Sequence, residues 1–488
     1  MKKLLKITTF TGALGLGGVY YNFSELRENP QELLVAAQRL GRISFTAGKI
    51  AFNSIGGVDH QKHVENSEML REALKKNGGS YIKLGQVIGN LDLLVPQEYV
   101  DTMKPLMNDA PRAKFEDVKR IVEEDLKQPI HKVFAEFDEE PIASASLAQV
   151  HRAKLNNGEV VAVKVQHRWI REQYPGDVRI LEVLAKTGKK LFKDFDYMWI
   201  IDDLKRSAEH ELDFIREGNN AQKCSEIFKK NPYVKVPEIY WGLCSDRVLT
   251  MEFMEGVIIS KVEQIKETGI DLSDLTQLLS KAFNEMIFVS GFVHCDPHPG
   301  NILVRPLKTW KGVKPQIVLL DHGLYRDLSE GVKQSYNGMW RSIILQDEEG
   351  MKHYAAELGV TTLYPLLAGM MAGRPWEDIM KPESGLERLR NARAYKAQKE
   401  ELIQHAQEWH KEINQVLGRM HNELVLLFKT FEWLRAIDAE LGNPVNTMQI
   451  IADYCTRDQV SYTTRYWARL KLWVLSVWIS FLEFCSIA

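Results

Sequence analysis

One part of the chain places imidazole, carboxylate and amide side chains at short, fixed intervals. His294 stands two residues before Asp296, Asn301 stands five residues after it, and Asp321 follows twenty residues beyond Asn301. Aspartate and asparagine oxygens are the hard ligands that Mg²⁺ takes. A carboxylate beside two such ligands suits phosphoryl transfer, which needs cations placed against phosphates and an acceptor held in line.

The same order and spacing is that of the catalytic loop and the Asp-x-Gly motif of protein kinases. The sequence therefore predicts ATP and Mg²⁺ as cofactors. Asp296 is the predicted base or acceptor-orienting group, and Asn301 and Asp321 are the predicted metal ligands.

A zinc site is the main alternative for this loop, with His294, Cys295, Asp296 and His298 as ligands. It would need four ligands from one short turn, with adjacent residues among them and with prolines stiffening the backbone. We therefore favour magnesium, and we expect His294 to be a structural hydrogen-bonding residue.

A second motif precedes this loop in the chain. Val161-Ala162-Val163-Lys164 closely matches the kinase strand whose lysine pairs with nucleotide phosphates. The nucleotide loop that should lie before it has alanine where kinases have glycine. The predicted loop residues are Ala143, Ser144, Ala145, Ser146, Leu147, Ala148, Gln149 and Val150. Alanine resists positive φ, so we expect altered nucleotide affinity or phosphate positioning.

The Lys164 ammonium needs a carboxylate to fix its position. Glu211, Asp213 and Glu217 lie on a predicted helix, where Asp213 and Glu217 are four residues apart and share a face. We predict Glu217 as the partner of Lys164. Glu252 and Met254 complete the predicted nucleotide-binding set.

Periodicity predicts helices, then short strands, then helices again. The predicted strands are Val133–Phe137, Gln149–Leu155, Val160–Gln166, Val234–Tyr240 and Val248–Phe253, and a long helical stretch covers about Trp199 to Phe228. Asn156-Asn157-Gly158 predicts a hairpin turn. Two further short strands are predicted at Ile302–Val304 and Ile317–Leu320. The fold class is α+β, a two-lobed protein-kinase-like fold with helical extensions at both ends.

The predicted domains are a targeting or anchor segment (1–25), a helical extension (26–130), a small lobe (131–255), a large lobe (256–375) and a second helical extension (376–488). Sixty-three basic against 65 acidic residues leave no net field that would attract nucleic acid, so no nucleic-acid partner is expected. Five cysteines without a Cys-x-x-Cys pair indicate a reducing or thiol-tolerant compartment.

Both ends of the chain are apolar. Lys2, Lys3 and Lys6 precede a run from Ile7 to Tyr21, with no acid before Glu25. A mitochondrial presequence or short membrane anchor is favoured over a secretory signal or a buried helix. The C-terminal run Leu472–Leu482 is too short to span a bilayer; it is interpreted as a core helix rather than an interfacial one.

The residues after Asp321-His322-Gly323 lack an Ala-Pro-Glu motif and a long activation segment. Because that segment docks peptides in protein kinases, its absence argues against peptide substrates. His322 replaces the usual phenylalanine, so the packing that switches active and inactive states must differ.

Four motifs together resemble the aarF-domain-containing atypical kinases, also called the UbiB family. They are Tyr81–Gln86 (Lys-x-Gly-Gln), Ala143–His151, Glu211-x-Asp213 and His294–Asn301. The Asp-His-Gly variant is most like a mitochondrial subgroup.

The resemblance implies a kinase-like fold in which the N-terminal extension lays Lys83 and Gln86 over the active site, where a peptide would dock. It implies that Lys83 pairs with Glu211, that Lys164 pairs with Glu217, and that Lys83, Gln86, Glu211 and Asp213 gate the site. Asp321 is implied as the principal metal ligand.

The resemblance also implies that the protein acts in mitochondria, in association with the inner membrane, and that it supports lipid or quinone homeostasis. The favoured hypothesis is an ATPase or small-molecule or lipid kinase with ATP and a lipid or quinone as ligands. A nucleotide-sensing scaffold (a pseudokinase) is the alternative from another class, and an ordinary serine/threonine kinase is the weakest.

Overall fold

The structure, a computed structural model, describes residues 30–55, 57–89, 95–107, 112–168, 170–191, 198–310, 312–374, 376–380, 416 and 422–455. The chain divides into two compact units. Unit 1 comprises the residues up to Asn219 with Glu238–Phe253; unit 2 comprises Asn220–Pro237 and the residues from Met254 onward. The predicted segments at residues 1–25 and Leu472–Leu482 lie outside the described residues. None of the helices found in those ranges is long and apolar enough to cross a membrane.

Unit 1 starts with a helical part. Its helices are α1 (Pro30–Asn53), α2 (His60–Asn77), α3 (Ser80–Gly89), α4 (Gln97–Met103), α5 (Phe115–Leu126), α6 (Ile130–Val133), α7 (Ile170–Leu191), α8 (Met198–Glu211) and α9 (Phe214–Phe228), and the division between the units falls inside α9. A shared core joins α3 to α7 and α8 through side chains such as Tyr81, Tyr174 and Leu204, all under 2% exposed. Burial of these large side chains stabilises the position of α3.

Unit 1 also contains a five-stranded sheet. Its strands are β1 (Phe134–Phe137), β2 (Ala143–Ser144), β3 (Ala148–Leu155), β4 (Val160–Gln166) and β6 (Val248–Glu252). The order is β1-β3-β4-β6, with β2 paired to β3, and the described pairs are antiparallel. Gly158, at a φ of 92°, closes the β3–β4 hairpin, which confirms the predicted turn.

The structure corrects the predicted helices of this unit in two places. A helix that the sequence did not predict, α7, contains Pro175, which removes a backbone donor. Its stripe of Ile170, Tyr174 and Val178 is buried, and that burial outweighs the poor helix propensity. The predicted stretch from Trp199 to Phe228 is two helices rather than one. Arg171 donates to the carbonyl of Leu212 at 2.6 Å and so stabilises the break.

Unit 2 contains a four-stranded sheet and a two-stranded one. The strands are β5 (Val234–Lys235), β7 (Val257–Ile258), β9 (Ile302–Thr309) and β10 (Gly312–Leu319), in the order β5-β10-β9-β7, and β8 (Phe292–His294) with β11 (Tyr325–Asp327). The predicted strand Val234–Tyr240 is thus only two residues long. The β9–β10 hairpin is longer than predicted. Its outer half consists of half-exposed and exposed residues without an apolar run, so the hydrophobic pattern did not indicate strands there.

The helices of unit 2 are α10 (Val262–Glu267), α11 (Leu272–Asn284), α12 (Glu330–Leu345), α13 (Glu348–Glu357), α14 (Tyr364–Ala372), α15 (Trp376–Met380), α16 (Asn422–Glu440) and α17 (Thr447–Cys455). Helix and sheet therefore occur in both units, which confirms the predicted α+β class. Most of the second helical extension predicted at residues 376–488 lies outside the described residues.

Candidate functional site

The lysine of the Val-Ala-Val-Lys motif lies on β4 and contacts a carboxylate of α9. Lys164 Nζ is 2.6 Å from Glu217 Oε1, and the two side chains are 13% and 2% exposed. The ammonium also lies 5.2 Å from the centre of the Phe214 ring. The pair is therefore shielded from water on most sides, so the ammonium has a fixed position rather than a range of solvated ones.

The alanine-rich loop is a tight hairpin between β2 and β3. The Ala145 N–H donates to the Ala148 carbonyl at 2.8 Å. The Ala145 carbonyl lies 3.0 Å from His167 Nε2. Positive φ among the described non-glycine residues occurs at Lys127, Gln346 and Asn443, so this loop uses ordinary backbone conformations. The Cβ of alanine disfavours positive φ, and this loop does not need it, so alanine is compatible with the observed backbone.

Helix α3 carries the Lys-x-Gly-Gln motif and contacts two parts of unit 1. Lys83 Nζ is 2.7 Å from Glu211 Oε2, at the end of α8. Gln86 donates to the Leu106 carbonyl at 3.2 Å and accepts from the Ser146 hydroxyl at 3.4 Å. The helix is thus linked both to the Glu-x-Asp segment and to the alanine-rich loop.

The sequence predicts Glu211 and Asp213 on one helix, but in the structure a break separates them. Helix α8 ends at Glu211 and α9 begins at Phe214. Asp213 stands before the first turn of α9, and its Oδ1 accepts from the Arg216 N–H at 3.0 Å. It is therefore an N-terminal cap of the helix that carries Glu217.

A buried cluster that the sequence analysis missed fixes the start of α3. Asp177 Oδ2 lies 2.5 Å from both Arg39 Nη2 and the Ser80 hydroxyl. Burial raises the pKa of Asp177 to about 6, against the lowering effect of the Arg39 guanidinium. Residues 39 and 177 are 138 positions apart, so no local pattern could have joined them.

Gly85, the glycine of the same motif, packs where a methyl group does not fit. A Cβ there would overlap Leu106 Cδ1 and lie 3.3 Å from Leu74 Cδ1. We expect Gly85→Ala to lower the free energy of unfolding by about 1–3 kcal/mol, because both neighbours are buried and cannot move freely. Thermal unfolding of the purified variant measures this.

The matched control is Gly41→Ala on α1, where a Cβ would meet nothing within 4 Å. There we expect no loss, since alanine is the better helix former. Equal melting temperatures of the two variants would contradict the close packing of α3.

The predicted catalytic carboxylate and metal ligands all belong to unit 2, where the β9–β10 hairpin brings them together. Ile302 pairs with Leu319, and the Leu320 N–H donates to the Asn301 carbonyl at 3.0 Å. Asn301 and Asp321 therefore stand at the same end of the hairpin. The Asn301 amide nitrogen donates to the Asp296 carbonyl at 3.3 Å, which ties the loop to that end.

These contacts also orient the oxygens that would hold a metal. The Asn301 side-chain nitrogen donates its hydrogen bond to the loop, so its Oδ1 faces away from the Asp296 carbonyl. Asp321 Oδ1 accepts from the Gly323 N–H at 2.9 Å, which fixes the carboxylate plane. One amide and one carboxylate oxygen fit Mg²⁺, which keeps several waters and substrate phosphates as its other ligands.

His294 and Cys295, at the start of the catalytic loop, are both fully buried. His294 Nδ1 accepts from the Asp296 N–H at 3.1 Å, and burial lowers the pKa of His294. Burial raises the pKa of the Cys295 thiol to about 12. Within the ranges that the structure describes, no group of three or more His, Cys, Asp or Glu side chains is arranged to hold a metal ion. Zinc coordination takes a thiolate, so the raised pKa of the Cys295 thiol disfavours the alternative zinc site.

His322 occupies the position of the usual phenylalanine and makes polar contacts instead. Its ring is buried, with Nδ1 2.9 Å from the Tyr325 hydroxyl and Nε2 3.0 Å from the Leu319 carbonyl. Asn220 donates to the His322 carbonyl at 3.0 Å. The Asp-His-Gly turn is therefore held by hydrogen bonds, which are directional, rather than by an interchangeable apolar contact.

Glu252 and Met254 fall on opposite sides of the division between the units. The Glu252 carboxylate accepts from the Glu238 N–H at 3.2 Å in unit 1. Met254 is 8% exposed and packs with Leu303 and Val318 in unit 2. Both side chains are thus occupied within their own unit.

Comparison with known proteins gives the family. The model of the ABC1 atypical kinase-like domain matches residues 105–355. The chain is 38% identical to AarF domain-containing protein kinase 1 of Mus musculus, over 90% of this chain and 85% of that protein. It is 40% identical to the protein of the same name from Gallus gallus, over 78% of this chain and 72% of that protein. It is 39% identical to AarF domain-containing kinase 1 of Drosophila melanogaster, over 81% and 75% respectively.

These relatives agree with the family and the subgroup that the motifs predicted, and the family model confirms the kinase-like fold. The matched region contains the alanine-rich loop, the Lys164–Glu217 pair and the loop from His294 to Asn301. The chain belongs to the ABC1, or AarF-domain-containing, family of atypical kinase-like proteins.

Proposed function

We propose that this protein binds ATP with Mg²⁺ and transfers the terminal phosphoryl group to water or to a small molecule, as an ATPase or a small-molecule or lipid kinase. The observation that carries the proposal is the grouping of Asp296, Asn301 and Asp321 at one end of the β9–β10 hairpin. The kinase-like family membership supports it.

Each residue has a separate role in this proposal. Lys164, held by Glu217, binds the α- and β-phosphates, and the alanine-rich loop Ala143–Val150 contacts the nucleotide. Asn301 and Asp321 hold Mg²⁺, which neutralises charge on the phosphates. Asp296 accepts a hydrogen bond from the attacking hydroxyl or water and takes its proton as the new bond to phosphorus forms.

Helix α3 is proposed to gate the nucleotide site. Its Gln86 contacts Ser146 of the alanine-rich loop, and its Lys83 contacts Glu211. A shift of α3 would therefore move the loop that faces the phosphates. Arg39 and Asp177 would set the resting position of this helix.

A peptide substrate is disfavoured by the segment after the Asp-His-Gly turn. Strand β11 starts two residues after Gly323 and pairs with β8, and α12 begins at Glu330. This leaves no room for a long activation segment between those residues. Water, a lipid headgroup or a quinone-related compound is therefore the proposed class of acceptor.

We also propose a mitochondrial, membrane-associated location. The support is the lysine-containing, acid-free start of the chain and the family resemblance. Inner-membrane lipid or quinone homeostasis is the process in which this activity would act. We further propose the domain boundaries predicted from the sequence, with the small lobe at residues 131–255 and the large lobe at residues 256–375.

The test is Mg²⁺-dependent ATP turnover by the purified full-length chain, with and without vesicles of anionic lipid or a soluble quinone mimic. We expect measurable turnover that rises with one of these additions. Robust phosphorylation of generic proteins instead would support an ordinary serine/threonine kinase. Nucleotide binding without turnover would support the scaffold alternative.

Complementation in cells that lack the protein separates enzyme from scaffold. We expect Asp296→Ala to fail to complement, because the attacking group then has no base. Asp327→Ala, which removes a 74% exposed carboxylate of the same unit, is the control and should complement fully. Full complementation by Asp296→Ala would contradict the enzymatic function.

A further inference from the structure

Helix α16 lies outside the region matched by the family model and passes beside the catalytic loop within unit 2. Lys429 Nζ lies 3.9 Å from Asp296 Oδ1. One turn further along the same helix, the Trp433 ring meets the His298 ring edge-on, with centroids 4.7 Å apart. Two separate contacts therefore place this face of α16 against the loop that carries the proposed base.

The position of α16 is fixed by a buried stripe on its other side. Leu424, Leu427 and Phe431 are 1%, 0% and 6% exposed. The Phe431 ring lies 5.5 Å from the Trp340 ring of α12. Since a helix anchored by packed apolar side chains moves little, Lys429 is presented from a rigid element rather than from a loop.

The Lys429 ammonium faces the Asp296 carboxylate as a loose ion pair rather than in a direct hydrogen bond. A distance of 3.9 Å is longer than a hydrogen bond. The Lys429 side chain is only 21% exposed. An ammonium that is largely shielded from water is stabilised by anions placed next to it, and a phosphoryl oxygen would add to the Asp296 carboxylate.

The catalytic loop itself supplies no such cation. The residues from His294 to Asn301 include no lysine or arginine, and Asp296 and Asp321 both bring negative charge. Negative charge also accumulates on the phosphoryl oxygens as the terminal phosphate is transferred, so a cation there accelerates the reaction. Lys429 is the side chain that the fold places beside the attacking position.

We propose that Lys429 is a further catalytic residue, whose ammonium contacts the terminal phosphoryl group of ATP. This inference rests on the proposed function and makes α16 part of the active site. In the step, the bond from the bridging oxygen to the terminal phosphorus breaks and the bond from the acceptor oxygen forms. The acceptor proton goes to Asp296, and Lys429 keeps its own protons and acts through charge.

The test compares nucleotides with and without a terminal phosphate on the full-length wild type, Lys429→Met and Lys429→Arg. Binding of Mg²⁺ with ADP and with the non-hydrolysable analogue AMP-PNP is measured by calorimetry, and ATP turnover is measured in parallel. We expect Lys429→Met to weaken AMP-PNP binding about tenfold and to leave ADP binding within about twofold, because ADP lacks the contacted group. Turnover should fall about 10²-fold, and Lys429→Arg should restore part of both losses.

Lys352→Met is the matched control, since Lys352 is 43% exposed and pairs with Glu349 of its own helix. It should change neither affinity. Equal weakening of ADP and AMP-PNP in Lys429→Met would show a purely structural role and overturn the inference, as would unchanged AMP-PNP binding. A rise in turnover would show that Lys429 restrains Asp296, which also overturns it.

The two proposals can fail separately. A wild type that binds both nucleotides without turnover refutes the enzymatic function, while the difference between ADP and AMP-PNP still decides whether Lys429 contacts the terminal phosphate. A wild type that turns over ATP, with Lys429→Met and Lys429→Arg matching it, refutes only the inference about Lys429. If Lys429→Met unfolds, the neutral variant Lys429→Gln takes its place, and a wild-type AMP-PNP affinity in Lys429→Gln refutes the contact. Absence of any nucleotide binding by the wild type refutes both.

Discussion

Replacement of Asp321 by asparagine is expected to lower Mg²⁺-dependent ATP turnover by about 10²- to 10³-fold. Asparagine keeps the oxygen that accepts from the Gly323 N–H, so the turn after β10 should remain intact. What is lost is one negative charge on the proposed metal ligand, and with it most of the affinity for Mg²⁺. The measurement is turnover as a function of Mg²⁺ concentration.

The control for this change is Asp327→Asn, six residues further along. Asp327 is 74% exposed and contacts Lys223 at 2.5 Å. Its replacement should leave turnover within about twofold, since a surface ion pair contributes little. If Asp321→Asn kept wild-type turnover at every Mg²⁺ concentration, Asp321 would not be the metal ligand.

The second large effect is expected at Lys164. Lys164→Met leaves the Glu217 carboxylate, which is 2% exposed, without its cation. We expect the free energy of unfolding to fall by about 3–5 kcal/mol, because an uncompensated buried charge is strongly destabilising. The midpoint of urea-induced unfolding measures the loss.

A double-mutant cycle separates the pair from the packing around it. Lys164→Met with Glu217→Leu should recover much of the stability, since no buried charge remains. Lys154→Met is the control, because Lys154 and its partner Glu136 are 40% and 61% exposed, and we expect a loss below about 1 kcal/mol. A loss at Lys164 no larger than that at Lys154 would refute the shielded pair.

Lys164→Met and Lys429→Met should both change nucleotide binding, but in different ways. Lys164→Met should weaken the binding of ADP and of AMP-PNP, because the α- and β-phosphates are common to both. Lys429→Met should discriminate between these nucleotides. A common pattern for the two lysines would mean that they do not contact different phosphates.

Local patterns in the sequence were sufficient for the motifs and the strands that carry them. The β3–β4 hairpin and β4 occur where the turn residues and the alternating pattern predicted them. The Lys164–Glu217 contact also lies where the motif spacing suggested. These features depend on residues that are close in sequence or on a motif with a fixed register, so a one-dimensional pattern describes them well.

The prediction was wrong where tertiary contacts decide the local structure. Helix α7 forms in spite of Pro175 because its apolar stripe is buried against other helices of unit 1. The break between α8 and α9 exists because Arg171 satisfies the Leu212 carbonyl. Neither partner is near in sequence, so propensity alone favoured the opposite result.

The sequence by itself determined the chemistry: which side chains are present, and the spacing of Asp296, Asn301 and Asp321 that indicates magnesium and phosphate. The tertiary structure alone decided which side chains that are distant in the sequence meet. Arg39 meets Asp177 across 138 positions, and Lys429 reaches Asp296 from a helix beyond the family domain. Such contacts depend on which helices pack together, and hydrophobic periodicity shows which face of a helix is buried but not which element covers it.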